Sequence, residues 1–384
     1  MKPPPLTLYV HLPWCVQKCP YCDFNSHTAG AAAPRERYLD ALLLDLDQEA
    51  MRAAGRLLET VFLGGGTPSL FSPQEIEALL QGVRARFEVA ADAEITMEAN
   101  PGTVECGAPA AYRKAGVTRL SIGAQSLNNT SLQKLGRIHS RDDVIRVASE
   151  ACAAGFDSFN IDLMHGLPGQ GVQEALDDLR AVIALGPPHI SWYQLTIEPN
   201  TVFFARPPQD LPAEDTTHEI QDAGYELLTA AGYRQYEVSA FARDDQPCRH
   251  NLNYWLFGDY LAAGAGAHGK LTRAEGIYRY QKPANPLQYM QAMERGEDAV
   301  TMQPVTGQER LFEFMLNALR LRDGFEKDLF VARTGLAASD LEDAMRQASE
   351  SGLMVREGSS RWRPTALGRR FLNDLQASFL PASR

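Results

Sequence analysis

From the N-terminus, short apolar runs rich in β-branched and aromatic residues alternate with longer amphipathic stretches, the pattern of a parallel sheet with crossover helices. The apolar runs are Leu6 to Leu12, Thr60 to Leu63, Glu94 to Glu98, Arg119 to Ala124, Phe159 to Leu163 and Ile190 to Ile197. Helical patterns such as Arg35 to Ala53 and Ser140 to Ala154 separate them. Six strand–helix rounds by about residue 230 predict an α/β fold built on a partial (β/α)6 barrel. In such sheets the chemistry lies beyond the carboxyl ends of the strands, where loops vary freely on a rigid frame.

Past Gly232 the alternation weakens. Tyr233 to Phe241 reads as one further strand, and residues 243–303 fit no simple period and are expected as an irregular accessory segment. From Gln308 come helices around Phe312 to Leu321 and Leu341 to Ser349, strand-like pieces at Leu353 to Val355 and Arg361 to Arg363, then a last helix. That order predicts a small C-terminal winged-helix-like domain. The expected division is residues 1–242, 243–303 and 304–384. Arg356, Arg361, Arg363, Arg369 and Arg370 cluster in the last part, but a lid or interaction module is favoured over DNA binding because the chain is acidic overall.

With 384 residues and 45% hydrophobic content the chain can fill proper cores. Its net charge of -11, from 48 acidic and 37 basic residues, repels phosphate backbones and argues against nucleic acid as a partner. The opening apolar stretch is too short for a signal peptide or a bilayer span, so a cytoplasmic protein is expected, with only peripheral contact at the inner membrane. A homodimer is the base-rate expectation. Of six cysteines, three lie within eight residues, while Cys106, Cys152 and Cys248 stand singly and read as small buried thiols.

Cys15-Val-Gln-Lys-Cys19-Pro-Tyr-Cys22 follows directly on the first strand, in a loop where three thiolates can meet one metal centre. Zinc competes for it. A structural zinc site wants four closed ligands, and with no second C-x2-C pair His11 or His27 would have to complete it. An iron–sulfur cluster suits the spacing better, and three ligands for four irons leave one iron open to an outside ligand. Val61-Phe-Leu-Gly-Gly-Gly-Thr-Pro68 runs a strand into three glycines that permit close backbone approach; it is neither a Walker loop nor G-x-G-x-x-G. Further strand ends carry Glu98, Gln125, Arg137 and Asp162, each alone a plausible turn residue, together a sign of a polar ligand above the sheet. Tyr9 is either a core aromatic or a ligand contact.

C-x3-C-x2-C after a first strand resembles the signature of the radical S-adenosylmethionine superfamily, in which the methionyl amine and carboxylate chelate the open iron of a [4Fe-4S] cluster. Tyr9-Val-His-Leu-Pro-Trp-Cys15, Gly64-Gly-Gly-Thr-Pro-Ser69, Gly123-Ala-Gln-Ser126 and Asn160-Ile-Asp-Leu-Met-His-Gly-Leu-Pro168 together resemble the oxygen-independent coproporphyrinogen oxidase group along nearly the whole chain. The resemblance implies Cys15, Cys19 and Cys22 as cluster ligands. It implies Tyr9, Gly65, Gly66, Thr67, Glu98, Gln125, Arg137 and Asp162 as contacts of S-adenosylmethionine.

Two branches share this framework, one oxidising coproporphyrinogen III and the other a haem chaperone. The oxidase branch has a fourth cysteine where this chain has Phe24, and an N-terminal extension where only eight residues precede Tyr9. His250-Asn-Leu-Asn-Tyr-Trp255 matches the H-N-x-x-Y-W motif of the chaperone branch. That implies haem as a further ligand, His250 as its axial ligand and haem-accepting proteins such as respiratory enzymes as partners. The competing reading of His250 is a hydrogen-bonded core histidine between aromatics. Coproporphyrinogen III dehydrogenation is the alternative activity. Whether S-adenosylmethionine is cleaved in turnover stays open, and Cys248 does not form the C-x-x-C-H of covalent haem attachment.

Overall fold

The structure, a computed structural model, describes residues 2–29, 33–102, 108–243 and 246–381. Six parallel strands, Leu6–Leu12 (β1), Leu58–Gly65 (β2), Val89–Ala99 (β3), Arg119–Gln125 (β4), Ser158–His165 (β5) and His189–Gln194 (β6), pair in chain order. The crossovers run through helices Arg35–Ala53 (α1), Pro73–Arg86 (α2), Pro109–Ala115 (α3), Arg141–Ala153 (α4) and Val172–Leu185 (α5), and Glu214–Ala230 (α6) follows β6. Because strand side chains alternate between faces, one row meets the helices and the other lines the inside of the curved sheet. The helix-facing row is apolar and fully buried: Leu8, Val10, Val61, Leu63, Ile95, Met97, Leu120, Ile122, Ile161 and Ile190. At about 1.5–3 kcal/mol per buried aliphatic side chain, this row carries the barrel's stability. The inward row is polar, with Glu98, Ser121, Asn160, Asp162 and Ser191 in register across adjacent strands.

The strand expected over Tyr233 to Phe241 is instead a small hairpin, Arg234–Gln235 (β7) and Ala240–Ala242 (β8), with β8 antiparallel to β6. The segment 243–303 holds more order than its sequence suggests. After a short helix, Arg249–Trp255 (α7), strand Asp259–Ala263 (β9) pairs parallel with β1 on the side away from β2. His268–Thr272 (β10), Ile277–Gln281 (β11) and Gln303–Pro304 (β12) then extend that edge antiparallel, giving a twelve-stranded sheet. Local period does not reveal these strands because buried charge interrupts it. Lys282 lies fully buried between Asp45 (2.5 Å) and Glu49 (2.7 Å) of α1, and Lys270 reaches Asp259 at 3.2 Å.

Gly307–Ala318, Lys327–Thr334 and Ala338–Glu350 form helices beside a three-stranded sheet of Phe325–Glu326, Arg361–Pro364 and Met354–Glu357. These elements pack around Phe314, Phe330, Leu341, Met345 and Trp362. The arginine cluster is largely paired internally: Arg356 with Glu342, Arg361 with Glu326 and Arg363 with Glu357. Among the described residues no helix is long and apolar enough to cross a membrane.

Candidate functional site

The loop after β1 is pinned on both sides. Trp14–Cys15 pairs with His27–Thr28, and the glycine turn after β2 continues the β1–β2 pairing, with Gly66 N–H donating to Leu12 O and Thr67 N–H to Trp14 O, both at 2.8 Å. Glycine is required there. A Cβ on Gly66 would sit 2.6 Å from the Trp14 carbonyl oxygen, and Gly65 has φ +112° with the His11 ring 2.4 Å from where its Cβ would be.

Cys15, Cys19 and Cys22 are free thiols lining one cavity of about 730 Å³. Burial pushes the thiols of Cys15 and Cys22 up, so their thiolates need a positive partner. Positive charge is close: Lys18 acts on Cys22, and Arg137 Nη1 donates to Cys19 Sγ at 3.5 Å. The zinc reading fares worse. His11 holds Tyr9 Oη (3.0 Å) and Asn25 O (2.8 Å) on its two ring nitrogens, and His27 Nε2 is engaged with Asn25 Oδ1 at 3.2 Å. Among the described residues no three His, Cys, Asp or Glu side chains converge closely enough for one metal ion. Thiols spread around a common cavity suit the corners of a larger cluster.

Gly65, Gly66, Thr67, Glu98, Gln125, Arg137 and Asp162 line the same cavity. Gly65 N–H donates to Glu98 Oε2 at 3.1 Å. Burial, then the charge of Asp162, pushes the Glu98 carboxyl up to about 7. Asp162, also raised by burial, accepts from Asn160 Nδ2 (2.7 Å) and Ser121 Oγ (3.1 Å). Two partly buried acids on the inward row, one raised by the charge of the other, favour a cationic ligand. Gln125 sits at φ +70°, where the β4–β5 register breaks, and accepts from Tyr193 Oη at 2.6 Å; such strain in a non-glycine residue is held only where its surroundings enforce it. Arg137 Nη2 donates to Gly123 O at 2.6 Å, leaving its buried Nε without a partner. The donor set therefore fits a cluster on the thiols and a zwitterionic, positively charged molecule beside it.

Two predicted site residues are not brought to the cavity wall. Tyr9 stacks on Phe62 with its hydroxyl on His11, one layer behind the wall. His250 is buried under β2, its Nδ1 2.6 Å from Thr60 Oγ1 and its Nε2 3.1 Å from Tyr254 Oη, and burial lowers its pKa to about 3. It is a neutral imidazole with both nitrogens engaged. Asn251 and Trp255 of the same helix do face the cavity. Cys248 is buried and its thiol pushed up to about 12, whereas Cys152, expected inside, is exposed on α4; Cys106 lies outside the described residues. Inward positions such as Arg119, Ser121, Asn160, His189 and Tyr193 went unread in the sequence, although polar residues at every second strand position were the signal.

Residues 9–182 match the family model of the radical SAM superfamily, and residues 305–371 that of the HemN C-terminal domain. The chain is 50% identical to the haem chaperone HemW of Escherichia coli (strain K12), covering 99% of both chains. The chain belongs to the HemW family. Its likeness to the HemW of Mycobacterium tuberculosis (strain ATCC 25618 / H37Rv) is 36% identity over 89% of this chain and 87% of the relative. Among solved structures, HemN from Escherichia coli, a coproporphyrinogen III oxidase and radical SAM enzyme, superposes with a TM-score of 0.81 at 25% identity, over 98% of this chain and 90% of that one. The radical SAM fold of this HemW-family chain implies a [4Fe-4S] cluster and S-adenosylmethionine.

Proposed function

We propose that this chain is a haem chaperone that carries a [4Fe-4S] cluster on Cys15, Cys19 and Cys22, holds S-adenosylmethionine beside it, and hands haem to acceptor proteins. The observation that carries the reading is 48–50% identity with HemW relatives over 99% of both chains, combined with a cavity lined by the three thiols and by Asn251 and Trp255 of the motif helix α7. When bound, the cluster and S-adenosylmethionine supply one-electron chemistry. Gly65, Gly66 and Thr67 would lie against the ligand's backbone-like end. Glu98 and Asp162 would balance its positive charge, and Arg137 would donate to its carboxylate. Tyr9 would act through His11, which ties the cysteine loop.

Haem is the cargo in this reading, and α7 its holder. For His250 to become the axial ligand, Nε2 must exchange Tyr254 for iron while Thr60 keeps Nδ1, which orients the ring as second-sphere partners commonly do. Acceptors such as respiratory enzymes would be met at the inner membrane by protein contact, from a cytoplasmic pool, with dimerisation following base rates.

The test is anaerobic haem titration of cluster-reconstituted wild type and His250→Ala, following the Soret band and cluster absorbance together. The reading expects about one haem per chain in the wild type, lost in the variant with the cluster retained. Stoichiometric haem in both proteins would remove His250 as ligand; none in either would remove the chaperone reading. The likeness to HemN supports one alternative, coproporphyrinogen III dehydrogenation, and catalytic formation of protoporphyrinogen by the reduced protein would establish it.

A further inference from the structure

Away from the thiols, the cavity is lined by Arg119, Trp255 and Arg320. Arg119 opens β4 and is 2% exposed, yet among the described residues it forms no ion pair and its Nε has no partner. Burying a guanidinium without a matched acceptor costs several kcal/mol. The nearby acids do not relieve it. Glu94 accepts Arg249 N–H, His250 N–H and the Cys248 thiol, capping the start of α7. Asp162 accepts from Asn160 and Ser121. Both supply charge at a distance, and their oxygens are engaged elsewhere.

The same surplus of donors extends along the wall. His189 joins Asn160 to Tyr236, whose hydroxyl accepts from Cys248 N–H at 3.2 Å. Next to Tyr236, Glu237 pairs with Arg320 at 2.9 Å, and the Arg320 guanidinium lies 4.3 Å over the Trp255 ring. The Nε of Arg320 and the indole Nε1 of Trp255 are both buried without partners. Arg119, Trp255 and Arg320 thus line one cavity, each with a buried nitrogen donor that has no partner, and the carboxylates of Glu94, Asp162 and Glu237 beside them are engaged. A ligand presenting acceptor oxygens, such as a carboxylate, suits such a wall.

We propose that Arg119, assisted by Trp255 Nε1 and Arg320, forms a carboxylate-binding subsite for a second ligand, distinct from the S-adenosylmethionine end of the cavity. A propionate of a porphyrin and the carboxylate of a small acid share this chemistry. The porphyrin source rests on the haem reading above; the carboxylate site itself does not.

The experiment uses the full-length, cluster-reconstituted protein under anaerobic conditions. Iron protoporphyrin IX and its dimethyl ester are titrated by the Soret band, and succinate by calorimetry, against wild type, Arg119→Gln, Arg119→Lys and Trp255→Phe. A lost charge-assisted bidentate contact is worth about tenfold in affinity or more. Wild type is expected to prefer the free acid over the ester by about that factor. Arg119→Gln should abolish the preference, Arg119→Lys should keep part of it, and Trp255→Phe should reduce it. If haem and ester bind equally but succinate binds and Arg119→Gln abolishes that binding, the subsite stands with a small-acid ligand, and the porphyrin source fails. A preference that survives Arg119→Gln overturns the proposal, as does the absence of binding by any carboxylate probe. Should Arg119→Gln not assemble its cluster, a wild-type preference unchanged in Trp255→Phe overturns it equally.

Discussion

Replacing Glu98 by glutamine separates the carboxylate's role in ligand binding from its cost to the fold. The side chain lies partly buried on the cavity wall within reach of the charge of Asp162, and its carboxyl is moved from the ordinary value of 4.5 to about 7. At 1.36 kcal/mol per pH unit, the native state binds the ionised form about 3 kcal/mol less favourably than the unfolded chain does. Because the folded value is raised, this group's stability contribution is complete below about pH 4.5 and is lost as pH rises through about 7. Glutamine keeps an oxygen to accept from Gly65 N–H and carries no charge. Glu98→Gln should therefore melt higher than wild type at pH 8, by on the order of 5 °C, and the gap should close towards pH 5. Binding of S-adenosylmethionine should move the other way, weaker by about tenfold in the variant at pH 8, with the wild type losing affinity as pH falls through about 7. Melting curves and equilibrium dialysis between pH 5 and 8.5 measure both. A variant less stable than wild type at pH 8, or a stability gap independent of pH, would refute the electrostatic account.

Gly66→Ala places a Cβ 2.6 Å from a backbone oxygen that cannot step aside, so cluster content after reconstitution should fall and stability drop by about 1–3 kcal/mol, read by iron analysis and denaturant unfolding. Lys282→Ala would leave Asp45 buried without a cation and Glu49 with Arg52 alone; a loss of about 3–5 kcal/mol is expected in urea unfolding, and restoration by Lys282→Arg is not, since the pocket is fitted to an ammonium.

Much of the barrel was legible because strand and helix periods are local properties. β1 and α1 have the bounds their sequences suggest; β3 starts five residues before its expected Glu94, and the other four barrel strands differ from expectation by up to three residues at an end. The cysteine loop and the glycine turn were equally legible, since both depend on closely spaced residues. The two short strands β7 and β8 look like one in the sequence because a hairpin of such small pieces leaves no alternation long enough to detect.

What the chain alone determined, then, is the thiol triplet, the glycine wall, and an alternation that puts apolar residues against the helices and polar ones inside. Tertiary structure decided how distant pieces meet. β9 joins β1 across about 250 residues of sequence, a pairing no local period can announce. The setting of His250 between Thr60 and Tyr254, and the meeting of Arg119, Trp255 and Arg320 on one cavity wall, draw on four separate parts of the chain. A residue's type limits what it can bond, but its partners, and whether any donor is left over for a ligand, exist only once the sheet has closed around them.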